Sequence, residues 1–151
     1  MTLTEIRFTA IGRPQPAGSK NGAPIRRKNG SIGVAMRDSN PKAKPWQAIV
    51  ANAAREAYSG DLLRGPLSVK MTFYLPRPKG HYGTGRNATK LKPSAPPFPT
   101  VKPDALKLAR GTEDALTGVI WGDDAQVVSG TQLKLYGEPA RVEVQIEEMA
   151  T

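Results

Sequence analysis

Nine residues, Leu67 to Leu75, restrict what this chain can build more than any others. Leu67, Val69, Met71, Phe73 and Leu75 alternate strictly with Ser68, Lys70, Thr72 and Tyr74. A period of two puts the five apolar side chains on one side of a strand, so the strand belongs to a sheet with one covered face. Two helical patterns can supply the cover. Pro45 suits a first helical position, where its missing N–H costs nothing, and Trp46, Ile49, Val50, Ala53 and Ala57 follow as one stripe ending near Gly60. Asp104 falls at an N-cap position before Leu108, Thr112, Ala115, Leu116 and Val119, with Ala105 and Ala109 at the margin and Gly118 as the terminal cap.

Other strands flank these helices. Ile6, Phe8 and Ala10 alternate with Glu5, Arg7 and Thr9. Val127-Val128, Gln132–Tyr136 and the alternating Val142, Val144 and Ile146 read as later strands, the last two around the turn Gly137-Glu138-Pro139. The expectation is an α+β fold, a single domain over residues 1–151. It would hold a mixed sheet of about four to five strands packed against two helices, with long basic loops.

The first loop, Gly12 to Lys44, reads as mostly irregular. Within it, Asn29-Gly30 suits the type I′ turn of a small hairpin between Pro24–Lys28 and Ser31–Met36. Arg77 to Pro103 is proline-rich, holds no acid and follows neither period, which predicts a mobile basic loop. The formal charge of +9 is concentrated in these two segments. Residues 12–45 carry eight basic residues against Asp38 alone, and residues 77–103 carry six against none. Such segregation suits a polyanion, nucleic acid first, because neutralised phosphates release counterions; two solvated loops are the plainer alternative. The candidate phosphate contacts are Lys20, Arg26, Arg27 and Lys28, then Lys79, Arg86, Lys90, Lys92 and Lys102, and Lys107 at the helix start. His81, Tyr82 and Phe98 share the second loop, whereas Trp46 reads as a packing residue.

The absence of cysteine excludes disulfides and thiolate metal sites, and a single histidine, His81, excludes His-rich zinc chemistry. A catalytic metal would need oxygen ligands, which favours Mg²⁺ or Mn²⁺. No signal-peptide pattern and no apolar run near ~18 residues occur, so a cytoplasmic protein with no membrane partner and no small-molecule cofactor is expected. Asp104, Asp123 and Asp124 stand at element boundaries among the cations. Spacing alone leaves two readings open: they converge on a metal that assists phosphodiester hydrolysis, or Asp104 merely caps its helix while Asp123-Asp124 make a turn.

The stretch Lys102-Pro103-Asp104-Ala105-Leu106-Lys107-Leu108, then Asp114-Ala115-Leu116, then Asp123-Asp124-Ala125-Gln126-Val127 resembles the signature of the RusA family of Holliday-junction resolvases. The family pattern is roughly Lys-Pro-Asp-Leu-Asp-Asn-Leu, a basic residue, Asp-Ala-Leu, a turn and Asp-Asp-Ala-Gln-Val. The loop Gly12–Lys20, the Trp46 helix and the 67–75 strand fall in the family's order. The resemblance implies a small homodimeric, Mg²⁺-dependent endonuclease of phage or prophage type, serving DNA recombination and repair. Such enzymes cut branched, four-way DNA by paired symmetric nicks. By position, Asp104 and Asp124 correspond to metal-binding aspartates, with Asp123 beside the latter, and Arg110 stands where the family has a functional lysine.

One departure stands out. Leu106 replaces the family's second aspartate, and Lys107 the asparagine after it. Leu106, Arg110 and Glu113 share a helix side, and Glu113 lies nearly two turns, or ~10 Å, beyond Leu106. Glu113 is therefore a candidate for the missing carboxylate, directly or through water; a solvated helix face is the alternative. Asp114 reads as structural or solvent-facing. Leu106 also keeps a second function in play, a junction-binding module that has lost cleavage. A third, a basic RNA- or ribosome-associated protein, gives the acidic residues no role.

Overall fold

The computed structural model describes residues 3–18 and 20–151, apart from the side chains at 20, 21 and 36–38. The candidate contact at Lys20 therefore lies outside the described side chains. Among these residues six strands and two long helices follow in the order β1 (Glu5–Ile11), β2 (Lys20–Arg26), β3 (Ile32–Asp38), α1 (Ala43–Ala57), β4 (Leu67–Leu75), α2 (Ala105–Leu116), β5 (Val127–Tyr136) and β6 (Arg141–Glu148). This is the expected α+β architecture: one mixed sheet in the order β1-β6-β4-β5, and a separate β2-β3 hairpin.

The alternation in β4 does what its period dictates. Leu67, Val69, Met71, Phe73 and Leu75 are all buried. Three rows of apolar side chains cross the sheet: Ala10, Val142 and Phe73; Phe8, Val144 and Met71; Ile6, Ile146 and Val69. On this face pack Trp46, Val50 and Ala54 of α1 and Leu108, Ala115 and Leu116 of α2, with Ile120 and Trp121. Each large side chain removed from water contributes about 1.5–3 kcal/mol before entropy is counted.

Strand β5 runs parallel to β4 and β6 antiparallel to it, so the link Gly137–Ala140 crosses the end of β4. Gly137 N–H bonds to Leu75 O there at 3.1 Å. The expected separate strands at 127–128 and 132–136 are one strand of ten residues. Ser129, Gly130 and Thr131 conceal its continuity, because an edge strand with one neighbour is largely exposed and needs no apolar alternation.

The first loop is less irregular than its composition suggests. β2 and β3 pair from Lys20↔Asp38 to Arg26↔Ile32. The turn is not type I′: Gly30 has φ +85°, but among the described residues no non-glycine has a positive φ, so Asn29 stays in ordinary space. Gly30 N–H bonds to Arg27 O at 2.9 Å and Arg27 N–H to Ser31 O at 2.8 Å, a three-residue loop with glycine in the left-handed position. α1 begins at Ala43, two residues before Pro45, and ends at Ala57, short of Gly60. Pro45 is still in the first turn, where no intrahelical partner is lost. Of the predicted stripe, Ile49 is 41% exposed and Ala57 is exposed; Ala43 and Ala51 are buried in addition to Trp46, Val50 and Ala54.

The 77–103 loop has internal structure. Short 3₁₀ turns form at Lys79–His81 and Gly85–Asn87, and Gly83 N–H to Lys90 O (3.0 Å) and Lys92 N–H to His81 O (2.9 Å) close a small lobe. Arg77 anchors it: one guanidinium nitrogen donates to Pro96 O at 2.8 Å and lies 3.3 Å from His81 Nδ1, over the Tyr136 ring. His81 packs edge-on against Tyr136. Its surroundings are structural.

Candidate metal centre and nucleic-acid surface

Helix α2 organises every candidate carboxylate. Its first residue follows Asp104, which holds the N-cap position but makes no side-chain capping bond. The carboxylate is exposed, with Lys107 Nζ at 3.9 Å as its nearest ionic partner. Capping therefore does not account for the acid at this place. The backbone leading into it is held from β5: Lys134 Nζ donates to Val101 O at 2.8 Å and to Pro103 O at 2.9 Å. One turn further on, Ala17 N–H bonds to Lys107 O at 3.1 Å. A Cβ at Gly111 would lie 3.2 Å from Ala17 N and 3.3 Å from Gln15 O, so glycine lets the early loop cross the helix closely. Arg110 reaches Ala17 O only at 3.5 Å and is otherwise exposed.

The C-terminal end of α2 is built differently. The expected glycine cap is displaced by one residue: extended Thr117 closes the helix, its N–H on Glu113 O at 3.0 Å, while Gly118, at φ +84°, turns the chain beyond it with its N–H on Trp121 O at 2.7 Å. The Thr117 hydroxyl accepts from Trp121 Nε1 at 3.2 Å and donates to Asp124 Oδ1, with Glu113 O 3.1 Å away. Glu113 is half-buried rather than on a solvated face. Burial, then the Asp124 carboxylate, then Asp114 push its pKa above the ordinary 4.5. Glu113 and Asp124 thus share one acidic corner.

Asp123 holds that corner's shape. Its carboxylate accepts from Ala125 N–H at 2.8 Å, and Gln126 Oε1 accepts from Asp123 N–H at 2.9 Å and Gly122 N–H at 3.0 Å. Gln126 Nε2 donates to Leu63 O and Gly65 O at 2.8 and 3.0 Å. The turn expected at Asp123-Asp124 is built by an Asp-x-x-Gln capping box, a spacing passed over in the sequence. Thr117 and Lys134, both missed in the sequence, announce themselves by no motif.

The two ends are far apart. From Asp104 to Thr117 is thirteen helical steps, about 20 Å along the axis, whereas carboxylates on one hard cation sit only a few ångströms apart. Among the described residues no cluster of three acidic or histidine side chains could hold a metal. Oxygen donors of the right chemistry are present, but one chain does not bring Asp104 to Asp124 and Glu113. Leu106, beside Asp104, is 70% exposed and buries nothing that would explain a leucine.

The described candidate phosphate contacts fall into three groups. Arg26, Arg27 and Lys28 are exposed at the tip of the β2-β3 hairpin. Lys79, Arg86, Lys90 and Lys92 are exposed on the Arg77 lobe. Lys102 and Lys107 flank Asp104. No helix among the described residues is long and apolar enough to cross a membrane.

Known proteins give this arrangement a family. The family described as Endodeoxyribonuclease RusA matches residues 14–147. A Bacillus subtilis (strain 168) protein, described as uncharacterized protein YqaN, is 37% identical over 148 residues, covering 96% of this chain and 97% of its own length. The match spans α1, β4, α2 and the acidic turn together, so this chain belongs to the RusA endodeoxyribonuclease family.

Proposed function

We propose that the protein is a homodimeric, divalent-metal-dependent endodeoxyribonuclease that resolves four-way or related branched DNA by paired symmetric nicks. In each of its two sites, Asp104 of one protomer joins Asp124 and Glu113 of its partner. The carrying observation is the placement of Asp104 and the Glu113–Asp124 corner at opposite ends of one helix. A two-fold axis that sets two α2 helices antiparallel brings unlike ends together twice, once for each strand to be cut.

The donors are all carboxylates, which suits Mg²⁺ or Mn²⁺. Bound there, the ion supplies Lewis-acid polarisation of the phosphodiester to be cut. The chain does the rest. Thr117 fixes the rotamer of Asp124, and Gln126 fixes the turn that presents it. Lys134 fixes the approach to Asp104. Lys102, Lys107 and Arg110 neutralise phosphate charge near the helix start, Arg110 with a fork rather than the point charge of a lysine. Glu113 stands in for the carboxylate absent at Leu106, from the partner's side. The hairpin tip and the Arg77 lobe grip the arms through phosphates, so branch shape rather than base sequence selects the substrate.

The test is a labelled synthetic four-way junction with Mg²⁺ or with EDTA. Paired nicks at symmetric positions, dependent on metal, support the reading. A second reading, a junction-binding module without cleavage, draws on Leu106. Tight binding without product at any Mg²⁺ or Mn²⁺ concentration would select it. Equal affinity for linear duplex would remove both.

A further inference from the structure

Beside Asp104 lies a cleft that neither the metal corner nor the hairpin uses. Three segments distant in sequence form it: the early loop at 13–16, the entry to α1 at Asn40 and Lys42, and Lys102-Pro103. Its volume is 290 Å³. We propose that this cleft is a binding site for one sugar–phosphate unit of the DNA strand that passes Asp104.

The walls are assembled rather than accidental. Asn40 Nδ2 donates to Pro16 O at 3.0 Å, and its Oδ1 accepts from Lys42 N–H at 3.1 Å, so one amide ties the early loop to the start of α1. Lys134 holds the third wall through Val101 O and Pro103 O. Arg13, Lys42 and Lys102 enter from the three different walls, and among the described residues no acid lines the space. Among the described residues none of these three cations has an ion pair, although Lys107 nearby has one. Three cations with no ion pair among the described residues repel one another around one hollow, and an anion between them removes that repulsion.

The remaining lining narrows the ligand. Pro14, Pro16 and Pro103 line it without an N–H, the Asn40 amide is tied to Pro16 O and Lys42 N–H, and Gln15 supplies the remaining amide. Cations for a phosphate, apolar proline rings for a deoxyribose and one amide for its oxygens describe a backbone unit more than a base. Because Pro103 directly precedes Asp104, that unit is a near neighbour of the phosphodiester to be cut. The site would fix the register of the strand on the metal corner while ignoring sequence.

This inference rests on the proposed nuclease reading only in naming DNA as the ligand, and two measurements keep the two apart. The variant is Arg13→Ala/Lys42→Ala, with unfolding temperature as the check on folding. First, four-way junction affinity is measured without Mg²⁺ across a salt series. The expected result is about tenfold weaker binding and a log–log salt slope shallower by about one, as for one lost phosphate contact. Second, an abasic trinucleotide of tetrahydrofuran phosphodiesters is titrated into ¹⁵N-labelled protein. Saturable shifts at residues 13, 42 and 102 in the parent, lost in the variant, support the site. Junction affinity and slope equal to the parent's, or abasic binding that survives the double substitution, overturn it. If the parent cuts no branched DNA, the nuclease reading fails, and the abasic titration still decides the cleft by the same two results.

Discussion

The two ends of α2 carry acids of opposite character. At the N-terminal end Asp104 is exposed, caps nothing and stands among Lys102, Lys107 and the cations of the adjoining cleft. At the C-terminal end Asp124 is held by the Thr117 hydroxyl, crowded by Glu113 and mounted on a turn with its own capping box. The first is a carboxylate waiting in a field suited to polyanions. The second is a fixed concentration of negative charge suited to a cation. Neither end alone gathers the acids a metal needs among the described residues, and the proposed pairing of unlike ends turns on that difference.

The largest expected effect comes from neutralising either end. Asp104→Asn and Asp124→Asn should each lower Mg²⁺-dependent nicking by roughly a thousandfold, the scale of several kcal/mol of transition-state stabilisation. Metal-free junction binding should hold or tighten, since a negative charge has gone. Nicking within tenfold of the parent for either variant would break the equivalence of the two ends. Next is the scaffold of the acidic end. Gln126→Ala removes four hydrogen bonds and strands two carbonyls, so urea unfolding should show a loss of about 2–3 kcal/mol, with a parallel fall in nicking. Unchanged stability would mean that the turn does not depend on that amide.

At the other end, Lys134→Met keeps the aliphatic stem and removes only the two bonds to Val101 O and Pro103 O. A smaller stability loss of about 1–2 kcal/mol is expected, with weakened nicking. An unaltered spectrum of the buried Trp121 would confine the damage to the basic end. The smallest effect is on pH. Because the folded pKa of Glu113 is raised, the native state binds the extra proton between 4.5 and the raised value, so Glu113 favours folding below 4.5 and loses that contribution as pH rises through its folded pKa. Glu113→Gln should thus be more stable than the parent near neutrality without metal, the gap closing in acid. A gap that grows toward low pH would reverse the assignment.

Much of this was legible where burial is one-sided. The 67–75 alternation survives intact because β4 is central and one face meets two helices. The start of α2 after Asp104 and the turn at Asp123-Asp124 were readable because helix boundaries and turns carry local signals. The β2-β3 ladder was only partly visible, since Ile32 and Val34 are 72% and 64% exposed and no core imposes alternation on it. The continuity of β5 was hidden by its edge position. For the site, the motif supplied candidate residues but not their placement. The turn carrying Asp124 meets Thr117, just past the far end of α2, and residue spacing contains no information about which helix end a returning segment meets.

The most direct test of the shared site mixes the two inactive proteins. An Asp104→Asn protomer paired with an Asp124→Asn protomer rebuilds one site with both aspartates and leaves the other with neither. Co-refolded mixtures should therefore regain Mg²⁺-dependent nicking of a four-way junction, one strand per heterodimer, while each variant alone stays silent. A mixture as inactive as its components, with heterodimers demonstrated in it, would place both aspartates' chemistry within one chain and contradict the account.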